Sequence, residues 1–386
     1  MITNKLQTAI TIYRTQFERF TTEIGLNNID RLSIELDGLL FRLQYMNRNN
    51  LDMDKVPAIR DEFASKAVEM PALGYPLFGD YINTVTRGAR LGKFFLRSAA
   101  TGVGKTRSMI ADACYIGCSQ MYDTKQNKWI GIGAPQNTLF IATEQDLQEC
   151  QSMCVSFLSG VEEEHILKGE YFVGEWERVL KASQILRSSK IFFECMPDFT
   201  MKSIESTIKK HIREHETQYI FMDYVHSSAS MLMEVGGNKG VKGLREDNVL
   251  FLMSSKLKDI AVQYGVFVMS ATQLNATYLD SDTPDQNLLR GSKAIADRID
   301  IGMIMLDVTQ TDKEKLNLFC KKNNLPMPNV KISIYKNRQG KYKSMFLWLN
   351  ANKDICRYEP IFCSDWAYNI MDIDNLKIRV DEASVF

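Results

Sequence analysis

The chain has no net charge, because its 47 Lys and Arg residues stand against 47 Asp and Glu. No chain-wide field therefore advertises a polyanionic partner, and any nucleic-acid contact has to be local. Long apolar runs are missing as well. No stretch approaches the ~18 residues a membrane span needs. The opening segment MITNKLQTAITIYRTQFERF carries charges throughout instead of an apolar signal core. Neither a signal peptide nor a transmembrane helix is expected, no membrane partner follows, and the compartment is read as cytoplasmic. The eight cysteines lack the CxxC spacing of zinc and redox sites: Cys114/Cys118 and Cys150/Cys154 are four apart, which suits reduced core thiols on helix faces. Histidine is scarce, and His211 and His215 sit in the charged run KKHIREHE. That run reads as a solvated helix face rather than a metal site. Internal repeats and low-complexity tracts are absent.

The composition has enough apolar residues to bury a full core, with room for one large α/β domain and a smaller appendage. Leu6, Ile10, Tyr13, Phe17, Phe20 and Ile24 alternate spacings of four and three, and Ile29, Leu32, Leu36, Leu39, Leu43 and Met46 repeat the rhythm after the turn Gly25 to Asn28. This pattern predicts an N-terminal helical hairpin over 1–52. A linker helix is expected within 53–73, entered at Pro57 and running to about Val68. Pro71, Gly74 and Pro76 then punctuate the junction to the main domain, 74–350.

From there strands and helices alternate. Apolar runs at Phe94–Ala99, Thr138–Ala142, Ile191–Cys195, Tyr219–Met222, Val266–Ser270 and Ile301–Leu306 read as strands. Helical periodicity fills Lys105–Met121, Gln145–Leu158, Met201–His215 and Val249–Tyr264. Alternation of this kind builds a largely parallel sheet with helices on both faces and ligands at the strand C-terminal ends. Val330–Tyr335 and Tyr342–Leu349 flank a Lys-Asn-Arg-Gln-Gly turn and read as a closing hairpin. Residues 351–386 are read as a C-terminal extension of weak α/β character.

The first strand breaks into SAATGVGKTR, residues Ser98 to Arg107. Such a loop is a phosphate cradle: Gly102 and Gly104 let backbone N–H groups curl around a phosphate without a Cβ in the way. Thr101 and Val103 complete the curl, Lys105 reaches the β and γ oxygens, and the Thr106 hydroxyl ligates Mg²⁺. A helix opening at Lys105 adds its positive end, and Arg107 in its first turn is a further candidate nucleotide contact. Where the strict pattern has a first glycine, this chain has Ala99. Three further polar residues end or follow apolar strands. Asp223 is placed where P-loop ATPases keep a Mg²⁺-associated acid, Glu144 where a carboxylate polarises the attacking water, and Gln273 where an amide senses the γ-phosphate.

The segments FIATEQD, FMDYVHSSASML, LMSSKLKDIAVQYGVFVMSATQLN, LRGSKAIADRID and YKNRQG, following SAATGVGKTR in this order, resemble the RecA-like motor domain of DnaB-type replicative helicases over roughly residues 74–350. Alanine is common at the first loop position in that family, so Ala99 agrees with it. The resemblance implies phosphate and metal binding by Lys105 and Thr106, a catalytic base at Glu144, a metal-associated acid at Asp223 and a sensor at Gln273. It also implies that Lys336 and Arg338 act on the γ-phosphate of a neighbouring subunit, hence a homo-oligomer, a hexameric ring, with ATP and Mg²⁺ at its interfaces. The N-terminal part, about 70 residues, is shorter than that of the bacterial helicases, as in a compact phage-, plasmid- or mobile-element-type version. Docking of the linker on a neighbouring motor domain is expected; a helicase loader or primase is a further candidate partner.

Single-stranded DNA would be met by loops lining the ring. Residues 234–247, EVGGNKGVKGLRED, space Lys239, Lys242 and Arg245 among Gly236, Gly237, Gly240 and Gly243. Glycine-rich backbone with spaced cations suits phosphate contact. The stretch from Tyr278 to Arg290, ending in the cation Arg290, is a second candidate. The reading is an ATP-driven helicase translocating 5′ to 3′ by resemblance. Its rivals are a RecA-fold ATPase acting in recombination without unwinding and a non-catalytic, nucleotide-switched adaptor.

Overall fold

A computed structural model of the chain describes residues 73–236, 246–275, 284–289, 293–338 and 340–378. The expected N-terminal hairpin and almost all of the linker lie outside the described residues.

Among the described residues, ten strands form one sheet. Its parallel half consists of β1 (Phe94–Ala99), β4 (Thr138–Ala142), β5 (Ile191–Cys195), β6 (Tyr219–Asp223), β7 (Phe267–Ser270) and β8 (Ile301–Asp307), with order β8-β1-β7-β6-β4-β5. β9 (Val330–Asn337), β10 (Met345–Asn352), β11 (Arg357–Asp365) and β12 (Ile370–Met371) continue the sheet antiparallel beyond β8. A separate hairpin, β2 (Gln120–Asp123) with β3 (Lys128–Gly131), stands apart.

Alternation along the strands decides which face each residue joins. Phe95, Phe140 and Phe221 enter one core, while their neighbours Phe94, Leu96, Leu139, Ile141, Ile220 and Met222 enter the other. On the first face lie α1 (Lys105–Gly117), α2 (Leu147–Ser159), α3 (Glu163–Lys168) and α4 (Glu175–Arg187); on the second, α5 (Met201–His215), α6 (Ala229–Gly236), α7 (Glu246–Tyr264) and α8 (Lys293–Arg298). α9 (Gln310–Lys322) covers a third cluster, Leu316 and Cys320 against Phe346, Trp348 and Phe362 of the antiparallel strands.

The sheet and its two helical layers agree with the fold expected from the sequence. Four local readings do not. The first helix ends at Gly117 rather than Met121, because Gln120 and Met121 pair with Gly131 and Ile130 in the β2–β3 hairpin. α3 and α4 fill a stretch to which the periodicity assigns no elements. Residues 357–365 are no appendage, since β11 pairs with β10 along its length and its Tyr358 packs into the first core. His211 is 4% exposed and faces Glu194, with Nε2 to Oε1 at 2.8 Å. Only part of that helix face is solvated: His215 stacks on Phe192 with ring centroids 4.1 Å apart. The cysteines are all free thiols, buried except Cys195. Among the described residues, no helix is long and apolar enough to cross a membrane and no three or more His, Cys, Asp or Glu side chains cluster as ligands of a metal ion.

One buried pair ties β1 to α1 on either side of the loop between them. Arg97 Nη1 lies 2.7 Å from Asp112 Oδ2 and donates to Ser108 O at 3.2 Å, while Asp112 Oδ1 accepts from Phe78 N–H at 2.9 Å. Burial pushes the Asp112 carboxyl above the ordinary carboxylate range, against the pull of Arg97. Removing one partner of such a pair strands the other charge. Arg97→Met is expected to cost about 3–5 kcal/mol in chemical denaturation. Adding Asp112→Asn, which drops the charge but keeps an acceptor for Phe78, should recover most of that stability.

Candidate nucleotide site

β1 ends at Ala99 and α1 begins at Lys105, so the connecting loop turns at the C-terminal end of the parallel strands. Gly102 and Gly104 take positive φ, +79° and +107°. Val103 is 1% exposed, its side chain anchoring the loop in the core. Behind the loop stands Tyr358 of β11: a Cβ on Gly104 would come within 1.6 Å of its hydroxyl oxygen, whereas one on Gly102 meets nothing.

The loop opens on a cleft of about 560 Å³, a size ordinary for small-molecule sites. Thr101, Gly102, Gly104, Lys105, Thr106, Arg107, Glu144 and Gln273 all line it. Glu144 is exposed just beyond β4, where the Asp146 N-cap opens α2 through a reciprocal pair of bonds with Glu149. Gln273 follows β7 and bridges to Ala99 across the sheet.

Asp223, the last residue of β6, is 5% exposed and sits behind Lys105 and Thr106. The Thr106 hydroxyl donates to Asp223 Oδ2, and Lys105 Nζ stands 3.4 Å from Oδ1. Oδ1 is buried and accepts no hydrogen bond. Burial is the largest influence on both charges, lowering the lysine below its ordinary pKa and raising the aspartate above its own, while each partner pulls the other back. Lys105 also lies over the Tyr224 ring, 3.3 Å from its centroid, a contact worth on the order of 1–2 kcal/mol when desolvated. A hydroxyl oxygen and a carboxylate oxygen that meets only the Lys105 ammonium are hard donors of the kind Mg²⁺ takes. These residues fit that ion, which would give Asp223 a counter-charge other than Lys105.

The structure also assembles neighbours that the sequence pattern did not mark. Arg107 pairs with Glu163 of α3 and donates to Lys353 O at 3.1 Å. Glu163 also accepts from Ser152 at 2.6 Å. Lys353, which follows β10, reaches Gly102 O at 3.2 Å and Asp307 at 3.0 Å. These partners arrive from remote strands and helices, so no local spacing signals them. Tyr224 had one signal, its place directly after Asp223.

Lys336 and Arg338 do not join the cleft. Lys336 Nζ donates to Ala296 O, the Arg338 guanidinium to Asp297 O, and Arg338 N–H to Asp300 O at 3.0 Å. Asp300 N–H in turn donates to Phe94 O at 2.8 Å. The two cations therefore stand at the opposite end of β1 from the loop, roughly 16 Å away along a six-residue strand. Lys239, Lys242, Arg245 and Arg290 lie outside the described residues.

Gly104→Ala imposes a left-handed alanine, about 1–2 kcal/mol, and a collision with buried Tyr358. ATP affinity is expected to fall at least about tenfold, with a lower melting temperature. Gly102→Ala carries only the first penalty. Nucleotide titrations and thermal melts giving equal losses for the two variants would show that Tyr358 does not brace the loop.

Comparison with known proteins agrees with this architecture. The family model described as "DnaB-like helicase C terminal domain" matches residues 78–359. A curated relative, the SPbeta prophage-derived uncharacterized protein YorI of Bacillus subtilis (strain 168), is 36% identical over 323 residues, 83% of this chain. The match spans 64% of that relative's length. Among solved structures, one described as an ATPase domain aligns with a TM-score of 0.59 at 16% identity, covering 80% of this chain and 98% of its own. A DnaB-like replicative helicase, studied with its primase interactions, aligns with a TM-score of 0.59 at 15% identity, covering 92% of this chain and 76% of its own. At those identities the structural matches speak for the fold, and with the matched family model they lead to one conclusion: the chain belongs to the DnaB-like helicase C-terminal domain family.

Proposed function

We propose that this protein is an ATP-dependent, ring-forming replicative DNA helicase that moves 5′ to 3′ on single-stranded DNA. The observation that carries the reading is the division of charge between the two ends of the sheet. Lys105, Thr106, Glu144 and Gln273 share one cleft, with Asp223 behind it, while Arg338 and Lys336 stand at the other end of the strands. A cation that its own cleft cannot use is suited to the cleft of an adjacent copy. Hence the active unit is a homo-oligomer, taken as a hexamer.

In this reading the loop amides and Lys105 bind the β and γ phosphates of ATP, and Glu144 takes a proton from the attacking water. A Mg²⁺ ion held by Thr106 and Asp223 would supply charge neutralisation at the phosphates. Gln273 registers loss of the γ-phosphate, and the neighbour's Arg338, assisted by Lys336, stabilises the transferring group. Residues 1–52 and 53–73 serve assembly, with the linker docking on an adjacent motor domain. A loader or primase remains the candidate protein partner, and a phage-type replicon fits the prophage relative.

Arg338→Ala should bind ATP almost normally yet lose about 10³ to 10⁵ in hydrolysis. Mixing it with Lys105→Ala subunits should restore part of the activity, because hybrid interfaces join an intact cleft to an intact finger. No recovery under conditions where subunits exchange would remove the in-trans assignment. Helical filaments instead of closed rings on oligo-dT would favour the recombination-type ATPase.

DNA contact is assigned to Lys239, Lys242 and Arg245, with Arg290 as a second site. Replacing the three loop cations by alanine should weaken oligo-dT binding and reduce the salt slope by about 0.7 for each phosphate the variant no longer neutralises. Basal hydrolysis should persist while DNA stimulation falls. An unchanged salt slope would shift the contact to the 278–290 segment.

A further inference from the structure

Tyr224 stands behind two side chains of the cleft and touches both. Its ring hosts the Lys105 ammonium, 3.3 Å from the centroid, and its hydroxyl accepts from Gln273 Nε2 at 3.0 Å. Lys105 and Gln273 line the cleft; Tyr224, 7% exposed, does not. The backbone on either side is fixed to neighbouring strands. Tyr224 N–H donates to Thr143 Oγ1 at 3.0 Å, just past β4, and Val225 N–H donates to Ala271 O at 2.9 Å, just past β7. The backbone that carries the ring is therefore held to two strands, and the ring stands between two groups that face the same cleft.

We propose that Tyr224 is a positioning residue that couples phosphate occupancy at Lys105 to the placement of Gln273. The proposal rests on the reading of the cleft as an ATP site. An aromatic face attracts an ammonium through its quadrupole, and phosphate oxygens compete for the same charge. With no γ-phosphate present the ammonium stays between the ring and Asp223; with one present it is drawn into the cleft. The hydroxyl edge of that ring holds the Gln273 carboxamide, and Gln273 bridges to Ala99 at the root of the phosphate loop.

Two substitutions separate the two contacts. Tyr224→Phe keeps the aromatic face and deletes the acceptor for Gln273; Tyr224→Leu deletes both. The Phe variant is expected to keep the KM for ATP within about threefold while its oligo-dT-stimulated kcat falls at least about tenfold toward the basal rate. The Leu variant removes one of the two competitors for the ammonium and leaves Asp223, so it should bind ATP about threefold to tenfold tighter in a fluorescent-nucleotide titration. Mere damage to the site would weaken binding instead.

Full DNA stimulation in the Phe variant overturns the coupling, and unchanged or weaker ATP binding in folded Leu protein overturns the hosting of Lys105. If the unaltered protein hydrolyses ATP without responding to oligo-dT, the helicase reading fails on its own. The affinity comparison between Phe and Leu variants then still decides the part played by the ring.

Discussion

The contact between Thr106 and Asp223 joins two residues 117 positions apart, and the cleft depends on it. Each residue sits at a point where the chain leaves the sheet in the same direction, Thr106 in the first turn of α1 and Asp223 at the end of β6. Parallel pairing of β1 with β7 and of β7 with β6 brings those points together. In an antiparallel arrangement alternate strands would end on opposite sides, and the same residues would be scattered. The electrostatics follow from the same closeness, because a lysine and an aspartate buried together each lose hydration and are left to balance one another.

The antiparallel half of the sheet does two jobs that a minimal parallel core leaves undone. Tyr358 of β11 stands behind the loop between β1 and α1 at Gly104, and Lys353, just past β10, reaches the Gly102 carbonyl. At its other end, β9 carries Lys336 and Arg338 to the side of the sheet away from the cleft. One block of strands thus supports the chain's own cleft and presents cations away from it. Mutations in β10 and β11 therefore act on the loop, and those at the end of β9 on the opposite side.

Around the cleft the polar side chains are held by one another as much as by the backbone. Arg107 ties α1 to α3 through Glu163, and Glu163 is shared with Ser152 of α2. Tyr224 sits between Lys105 and Gln273. Such networks make the effect of a single change non-additive, since removing one member leaves buried partners to rearrange.

Local chemistry made several elements legible in the sequence. The loop from Ser98 to Arg107 declared itself because only glycine tolerates the left-handed turns at 102 and 104, and apolar runs marked the strands of the parallel half because strands buried on both faces carry little else. Asp223, Glu144 and Gln273 were visible as polar residues at or just beyond strand ends. What stayed hidden was long-range. The β2–β3 hairpin cut short a helix whose periodicity ran on, and β11 found its partner in β10 through backbone hydrogen bonds that leave no spacing signature. His211 lay in a charged run yet was buried against Glu194 by the packing of α5 on β5. Sequence by itself determined the strands of the parallel half, most of the helices between them and a loop with glycines where a phosphate cradle would need them, because those depend on neighbours a few positions away. Only the tertiary structure decided that Lys353, Tyr358 and Glu163 surround that site and that Arg338 stands away from it, because strand order and register bring together residues the chain itself holds far apart.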